Sequence, residues 1–320
     1  KYADTQGVKF FNSGTKNVNH RMHTIAIVSL LGLAGPVFAA PPEQAFSPVS
    51  PMVESKPQAE LGKKLFQDKR LSSKGNVSCQ SCHNPSHAYS QPYVSGLDTP
   101  SLLNVSMMNL FFWNGRTSSL KEAIKDNLSS PNMLGNNPNQ IEKTLKEDAE
   151  LSALFEAHYQ DGVSFDNVVD SLKAYLETLT TPNAKFDQYL KGNAKALNQT
   201  ELKGYQLFVS YGCISCHQGK NMGGNITEKM GIYDNYFLNP APYDLGLYQI
   251  TKDEGDKYAF RVPSLRNVAL TAPYFHDGSA KTLEAAIKQM AHYQLNRDLR
   301  DDEIQQLAAF LKTLTGEAPK

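Results

Sequence analysis

The sequence predicts an all-α protein built from two similar units, and three observations predict it. Apolar residues recur at three- and four-residue spacing, no segment sustains the two-residue alternation of a strand, and one 29-residue stretch occurs twice. The chain of 320 residues suits about two domains of ordinary size, and an apolar content of 40% is enough for packed cores. Its 32 basic and 32 acidic residues cancel, which argues against a nucleic-acid partner and against a strongly charged disordered tail.

In chain order, residues 24–40 form an apolar run broken by Gly32, Gly35 and Pro36 and closed by small residues before Pro41 and Pro42. A membrane span needs about 20 apolar residues. A shorter core followed by small residues reads as a cleaved export signal, with residues 1–21 upstream of it. The expected organisation is therefore 1–40 as upstream segment and signal, 41–190 as a first domain and 191–320 as a second, in a periplasmic protein with no membrane span left after cleavage. Helical periodicity covers 139–156, 167–179, 199–208, 283–292 and 302–314. Residues 180–197 read as a connection, and the Gly-, Asn- and Pro-rich stretch 223–244 as a long loop.

The chemistry lies in the four cysteines, which fall as Cys79-x-x-Cys82-His83 and Cys213-x-x-Cys216-His217. CxxCH is the attachment signature of haem c: two thiols form thioethers to the porphyrin and the histidine supplies the proximal imidazole. A single copy would leave a disulfide, a zinc site or a redox pair open. Two copies, with no cysteine left over and an export signal in front, predict two covalent haems.

The duplication extends beyond the cysteines. Residues 99–127 align without gaps on 262–290, with 11 of 29 positions identical at an offset of 163, whereas the CxxCH motifs are 134 apart. The copies then act as controls for each other. Met290, last in its copy, is either the second axial ligand of haem two or core filling; its counterpart Asn127 is a poor iron ligand, so haem one is expected to have an open face. Trp113, the only tryptophan, has His276 as counterpart and is either an electron relay between haems or plain core. His87 lies four residues after His83, on the same proximal side.

These residues resemble the bacterial dihaem cytochrome c peroxidases. The likeness runs from about Gln58 to Gly316 and is carried by both CxxCH motifs, FWNGR at 112–116, KFDQYL at 185–190, FRVPSLRNVALTAPYFHDGSAKTLEAAIKQMA at 260–291 and the closing AFLKTLTG. It implies two cytochrome-c-like haem domains related by internal duplication. Haem one, on Cys79, Cys82 and His83, would meet peroxide. Haem two, on Cys213, Cys216, His217 and Met290, would receive electrons from a small cytochrome c or cupredoxin, and Trp113 would stand between them. The resemblance also implies calcium, held by Asp98 with backbone oxygens of Thr271 and Pro273, and by analogy a homodimer. Asparagine is usual at the Asp98 position, but aspartate is also a hard oxygen ligand.

Three departures from the family pattern bear on function. Ala123 stands where a distal glutamine is usual, and Met133 where a distal glutamate is usual. The loop 88–98 is short and lacks the removable distal histidine of many members, which implies that haem one needs no reductive activation. Losing a positioned acid–base costs about 10²–10⁴-fold. Two further readings therefore stay open: an electron carrier with Met133 ligating haem one, and an oxidase of residues on a partner protein, as in the related methylamine dehydrogenase maturation enzymes. Tyrosine stands at the Met290 position in those relatives, which favours the peroxidase branch.

Overall fold

A computed structural model of the chain describes residues 45–51, 56–94, 97–237 and 245–319. The proposed export signal lies outside the described residues. Helices dominate: α1 (Gln58–Gln67), α2 (Cys79–Cys82), α3 (Leu120–Ser129), α4 (Pro138–Lys146), α5 (Ala149–His158), α6 (Phe165–Thr178), α7 (Lys185–Leu190), α8 (Gln199–Ser210), α9 (Tyr248–Thr251), α10 (Leu283–Leu295) and α11 (Asp301–Lys312). Two short antiparallel ribbons accompany them, β1 (Gln91–Val94) with β2 (Leu97–Thr99) and β3 (Thr227–Lys229) with β4 (Ala259–Arg261).

Two cores form around similar helix trios. In the first, α1 and α3 pack on α6, whose buried Val168, Val169, Leu172, Tyr175 and Leu176 follow helical spacing. In the second, α8 and α10 pack on α11 through Ile304, Leu307, Ala308, Phe310 and Leu311. Each trio has one helix crossing close enough to exclude a side chain. A Cβ on Gly62 would lie 1.9 Å from the Ser171 carbonyl oxygen, and one on Gly204 would lie 1.9 Å from that of Gln306.

The 163-residue offset recurs in the backbone. Asn104 and Asn267 have φ of 59° and 62°, Phe112 and Phe275 have 65° and 70°, and Gly115 and Gly278 have 65° and 61°. Isolated bridges Phe111–Thr117 and Tyr274–Ala280 close matching loops, and Ser119 and Thr282 cap α3 and α10 through their side chains.

Three sequence expectations change. The helix expected over 139–156 is two helices, because Asp148 accepts from the Leu151 N–H, 3.1 Å away, and starts a new helix there. The connection 180–197 contains α7, whose Phe186 is fully buried, and opens on a polar knot. There, Thr181 Oγ1 accepts from Nδ2 of both Asn104 (2.7 Å) and Asn267 (2.8 Å), all three residues being buried. The loop 223–244 contains β3, and its residues 238–244 lie outside the described set. The helices α1 and α3 lie outside the periodic segments, and α3 is the counterpart of α10 at the 163-residue offset.

Candidate functional site

Each CxxCH motif is one tight turn. Ser78 caps α2 reciprocally with Ser81, whereas Gly212, at φ 88°, leads a 3₁₀ turn over Cys213–Ser215. In both, the histidine N–H donates to the first cysteine's carbonyl, at 2.9 Å for His83 to Cys79 and 3.0 Å for His217 to Cys213. That i to i−4 bond sets the first thiol and the imidazole one above the other on the same face.

Neither Cys79 and Cys82 nor Cys213 and Cys216 form a disulfide. Burial pushes Cys79 up to about 12 and Cys213 up to about 11, opposite to the lowered values of reactive redox cysteines. Among the described residues no three His, Cys, Asp or Glu side chains are grouped to hold a metal ion, so neither CxxC is part of a zinc site of that kind. Burial also pushes both histidines down to about 4, against the carbonyls of Tyr89 and Pro100 for His83 and of Met222 and Pro263 for His217. His83 Nδ1 lies 3.1 Å from the Tyr89 oxygen and His217 Nδ1 3.4 Å from the Met222 oxygen. A ring nitrogen facing a carbonyl carries the proton, so Nε2 keeps its lone pair. Two neutral, pre-oriented imidazoles beside paired thiols fit covalently held haem.

The second motif opens into a cavity of 690 Å³, within the usual range for a cofactor site. Cys213, Cys216, His217 and Met290 all line it, so the structure brings together the four residues expected to hold haem two. Its floor includes Ala286, Leu307 and Leu311 of the second helix trio.

The counterpart of Met290 behaves differently. Asn127 Nδ2 donates 2.8 Å to the Ala123 carbonyl of its own helix. Ala123 itself is buried in the first core, while Cys79, Leu102, Met108, Phe112 and Leu120 pack on that core's edge. Met133 is 47% exposed on the turn after α3. His87 is exposed, with Nδ1 3.0 Å from Ser86 Oγ.

Beside the second motif lies a group of aromatic and charged residues drawn from both halves of the chain. Trp113 lines the 690 Å³ cavity although it belongs to the first half of the chain. Its Nε1 donates 2.7 Å to the Asp98 carbonyl, and its ring meets His276 edge-on with centroids 6.3 Å apart. Asp98 donates its own N–H to the His276 carbonyl at 2.8 Å. Asp98, Thr271 and Pro273, the expected calcium ligands, all border this cavity.

Arg261 was not singled out from sequence. It is 3% exposed, and its guanidinium carbon lies 5.7 Å from the Trp113 ring centroid. The available signal was the repeat itself: one position before the aligned segments, Asp98 faces Arg261 across the 163-residue offset.

Comparisons with known proteins show what the chain is similar to. The family described as di-haem cytochrome c peroxidase matches residues 56–195, and the cytochrome c family matches 202–315. The chain is 39% identical to the cytochrome c551 peroxidase of Nitrosomonas europaea, over 92% of this chain and 90% of that protein. It is 36% identical to the cytochrome c551 peroxidase of Pseudomonas aeruginosa, over 83% and 81%. Among solved structures, a MauG-like protein associated with microbial copper homeostasis superposes with a TM-score of 0.72 at 28% identity, covering 88% of this chain and 95% of that one.

Proposed function

The chain belongs to the di-haem cytochrome c peroxidase family, and on that premise we propose that it reduces hydrogen peroxide to water with electrons from a small reduced cytochrome c or cupredoxin. Two electrons and two protons convert one peroxide into two waters. The observation that carries this reading is the asymmetry between counterparts: Met290 lines the 690 Å³ cavity at the second motif, while the Asn127 amide is turned back onto Ala123. A haem held at the second motif would have the Met290 thioether within its cavity, whereas one held at the first would have no such side chain at Asn127.

When bound, haem c supplies iron that exchanges electrons and, where a coordination position is open, takes peroxide. The chain's own residues do the rest. The Tyr89 and Met222 carbonyls fix the tautomers of His83 and His217 and hold both imidazoles neutral for ligation. Cys79, Cys82, Cys213 and Cys216 fix position and tilt. Trp113, tied to Asp98, bridges the two halves and is assigned the electron path. Calcium is assigned to Asp98 with backbone oxygens of Thr271 and Pro273, an oxygen-only set suited to a hard cation. The matched backbone geometry and the twin glycine crossings support an internal duplication, with domains at 41–190 and 191–320. Export to the periplasm is part of the same proposal; no described helix is long and apolar enough to cross a membrane.

The weak point of the site is proton transfer, since Ala123 and Met133 replace polar and acidic groups. Met133→Glu is therefore expected to raise steady-state turnover with reduced cytochrome c by about tenfold or more, within the range for a positioned acid–base. EPR of the oxidised and half-reduced protein tests the reading as a whole. A low-spin, six-coordinate haem one in both states, inert to peroxide, would establish the electron carrier instead, which requires the half-exposed Met133 to turn inward. Slow turnover with an open haem one would favour oxidation of a partner protein.

A further inference from the structure

Among the described residues, two arginines are buried in the second half of the chain, and only one is paired with an acid. Arg266 Nη2 lies 2.8 Å from Asp187 Oδ1, both side chains being nearly inaccessible. Arg261 is equally buried, yet its polar contacts are with neutral groups. Nε donates 3.0 Å to the Phe112 carbonyl, and Nη1 lies 3.7 Å from Met108 Sδ. Burial alone lowers its pKa, to about 10, with no carboxylate opposing the shift. A buried cation without an anion is strongly unfavourable, so folds retain one where an anion arrives with a ligand.

The place where that anion would arrive is defined. Arg261 lines the 690 Å³ cavity together with Cys213, Cys216, His217 and Met290. Its backbone N–H is committed to the Trp113 carbonyl at 2.7 Å, which fixes the base of the side chain, and the Phe112 carbonyl fixes the guanidinium plane. A guanidinium held in this way presents its remaining N–H groups as a fork suited to a carboxylate. The Asp98 counterpart carries the opposite charge, so a charged group stands at this position in both copies.

We propose that Arg261 is a positioning residue that receives a propionate of bound haem at the junction between the two halves. The inference rests on the reading that the chain carries haem, and it adds an anchor besides the thioethers and axial ligands. Either haem offers the same carboxylate: the cavity is that of haem two, whereas Met108 and Phe112 beside Arg261 pack on the core of the first half.

The test uses the holoprotein with Arg261→Gln, which keeps a donor for the Phe112 carbonyl, and Arg261→Lys, which keeps the charge. Haem per chain is counted from the pyridine haemochrome spectrum, and the two reduction potentials are resolved by spectroelectrochemical titration. Two haems per chain are expected in all three proteins, since the thioethers do not depend on Arg261; fewer than two in the unaltered protein would refute the parent reading, not this one. In Arg261→Gln one potential should fall and become pH-dependent near neutrality, because a buried cation favouring the reduced haem is gone and the orphaned propionate can take up a proton. Arg261→Lys should stay close to the unaltered protein. The haem whose potential moves identifies the propionate's source. Unchanged potentials in Arg261→Gln, or equal shifts in both variants, would overturn the proposal.

Discussion

Replacing Thr181 by valine should destabilise the fold far more than its size suggests. The two side chains are nearly isosteric, so packing is conserved and the change falls on one oxygen. Thr181 Oγ1 accepts from Asn104 Nδ2 at 2.7 Å and from Asn267 Nδ2 at 2.8 Å, and the three residues are 2%, 0% and 1% exposed. Valine leaves two buried amide donors without that acceptor, at about 1–3 kcal/mol each, so the expected loss is roughly 2–6 kcal/mol. The Thr181 N–H still donates to Asn104 Oδ1, which keeps the backbone in place. Thr181→Ser supplies the control, because it retains the acceptor and removes one methyl, worth about 1 kcal/mol. Urea unfolding of the haem-loaded proteins, followed by far-ultraviolet circular dichroism, reads both. A valine variant as stable as the serine variant would refute the claim that this oxygen joins the two halves.

Three other outcomes follow from the geometry. Gly62→Ala and Gly204→Ala each place a methyl 1.9 Å from a backbone oxygen, so helix pairs must separate by over an ångström; about 3 kcal/mol or more should be lost in thermal unfolding, and the haem spectrum on the altered side should change while the other stays. Trp113→Phe removes the bond to the Asp98 carbonyl and should cut peroxide turnover at least tenfold, about 1.4 kcal/mol of barrier, with both haems still attached; unchanged turnover would exclude Trp113 from the electron path. Asp148 is held below its ordinary 3.8 by the Leu151 N–H and then by Arg70, so its stabilising charge is present above that value and is lost as pH falls through the depressed one. The urea midpoint of the unaltered protein should therefore exceed that of Asp148→Asn near pH 6, and the gap should narrow as pH falls below 3.8; a gap that stays constant would contradict this.

The sequence makes some of this legible and leaves the rest hidden for physical reasons. The CxxCH turns, the Met290–Asn127 contrast and the position of Trp113 rest on local spacing or on alignment between copies, and all have recognisable places in the structure. The all-α expectation misses four short strands, since runs of three or four residues are too short to display alternation. The break at Asp148 is masked because apolar residues keep three- and four-residue spacing on each side of it, Ile141 with Leu145 before and Leu151 with Leu154 and Phe155 after. Arg261 has only a faint sequence signal, its 163-residue offset from Asp98, because the lack of a carboxylate beside it among the described residues is known only once neighbours are placed.

Residues 45–51 illustrate how late in synthesis this fold can close. Phe46 sits among Phe186, Tyr205 and Phe208, the Val49 N–H donates 3.2 Å to Asp187, and the Ser47 carbonyl accepts 3.0 Å from Arg266. The chain grows from its amino end, so the seat of this early segment is not complete until Arg266, some 220 residues later, has been made. The first CxxCH, at 79–83, emerges while that seat is still incomplete. Its thiols are therefore free to meet haem before the segment ahead of them is fastened, and docking of residues 45–51 reports that the second half has folded.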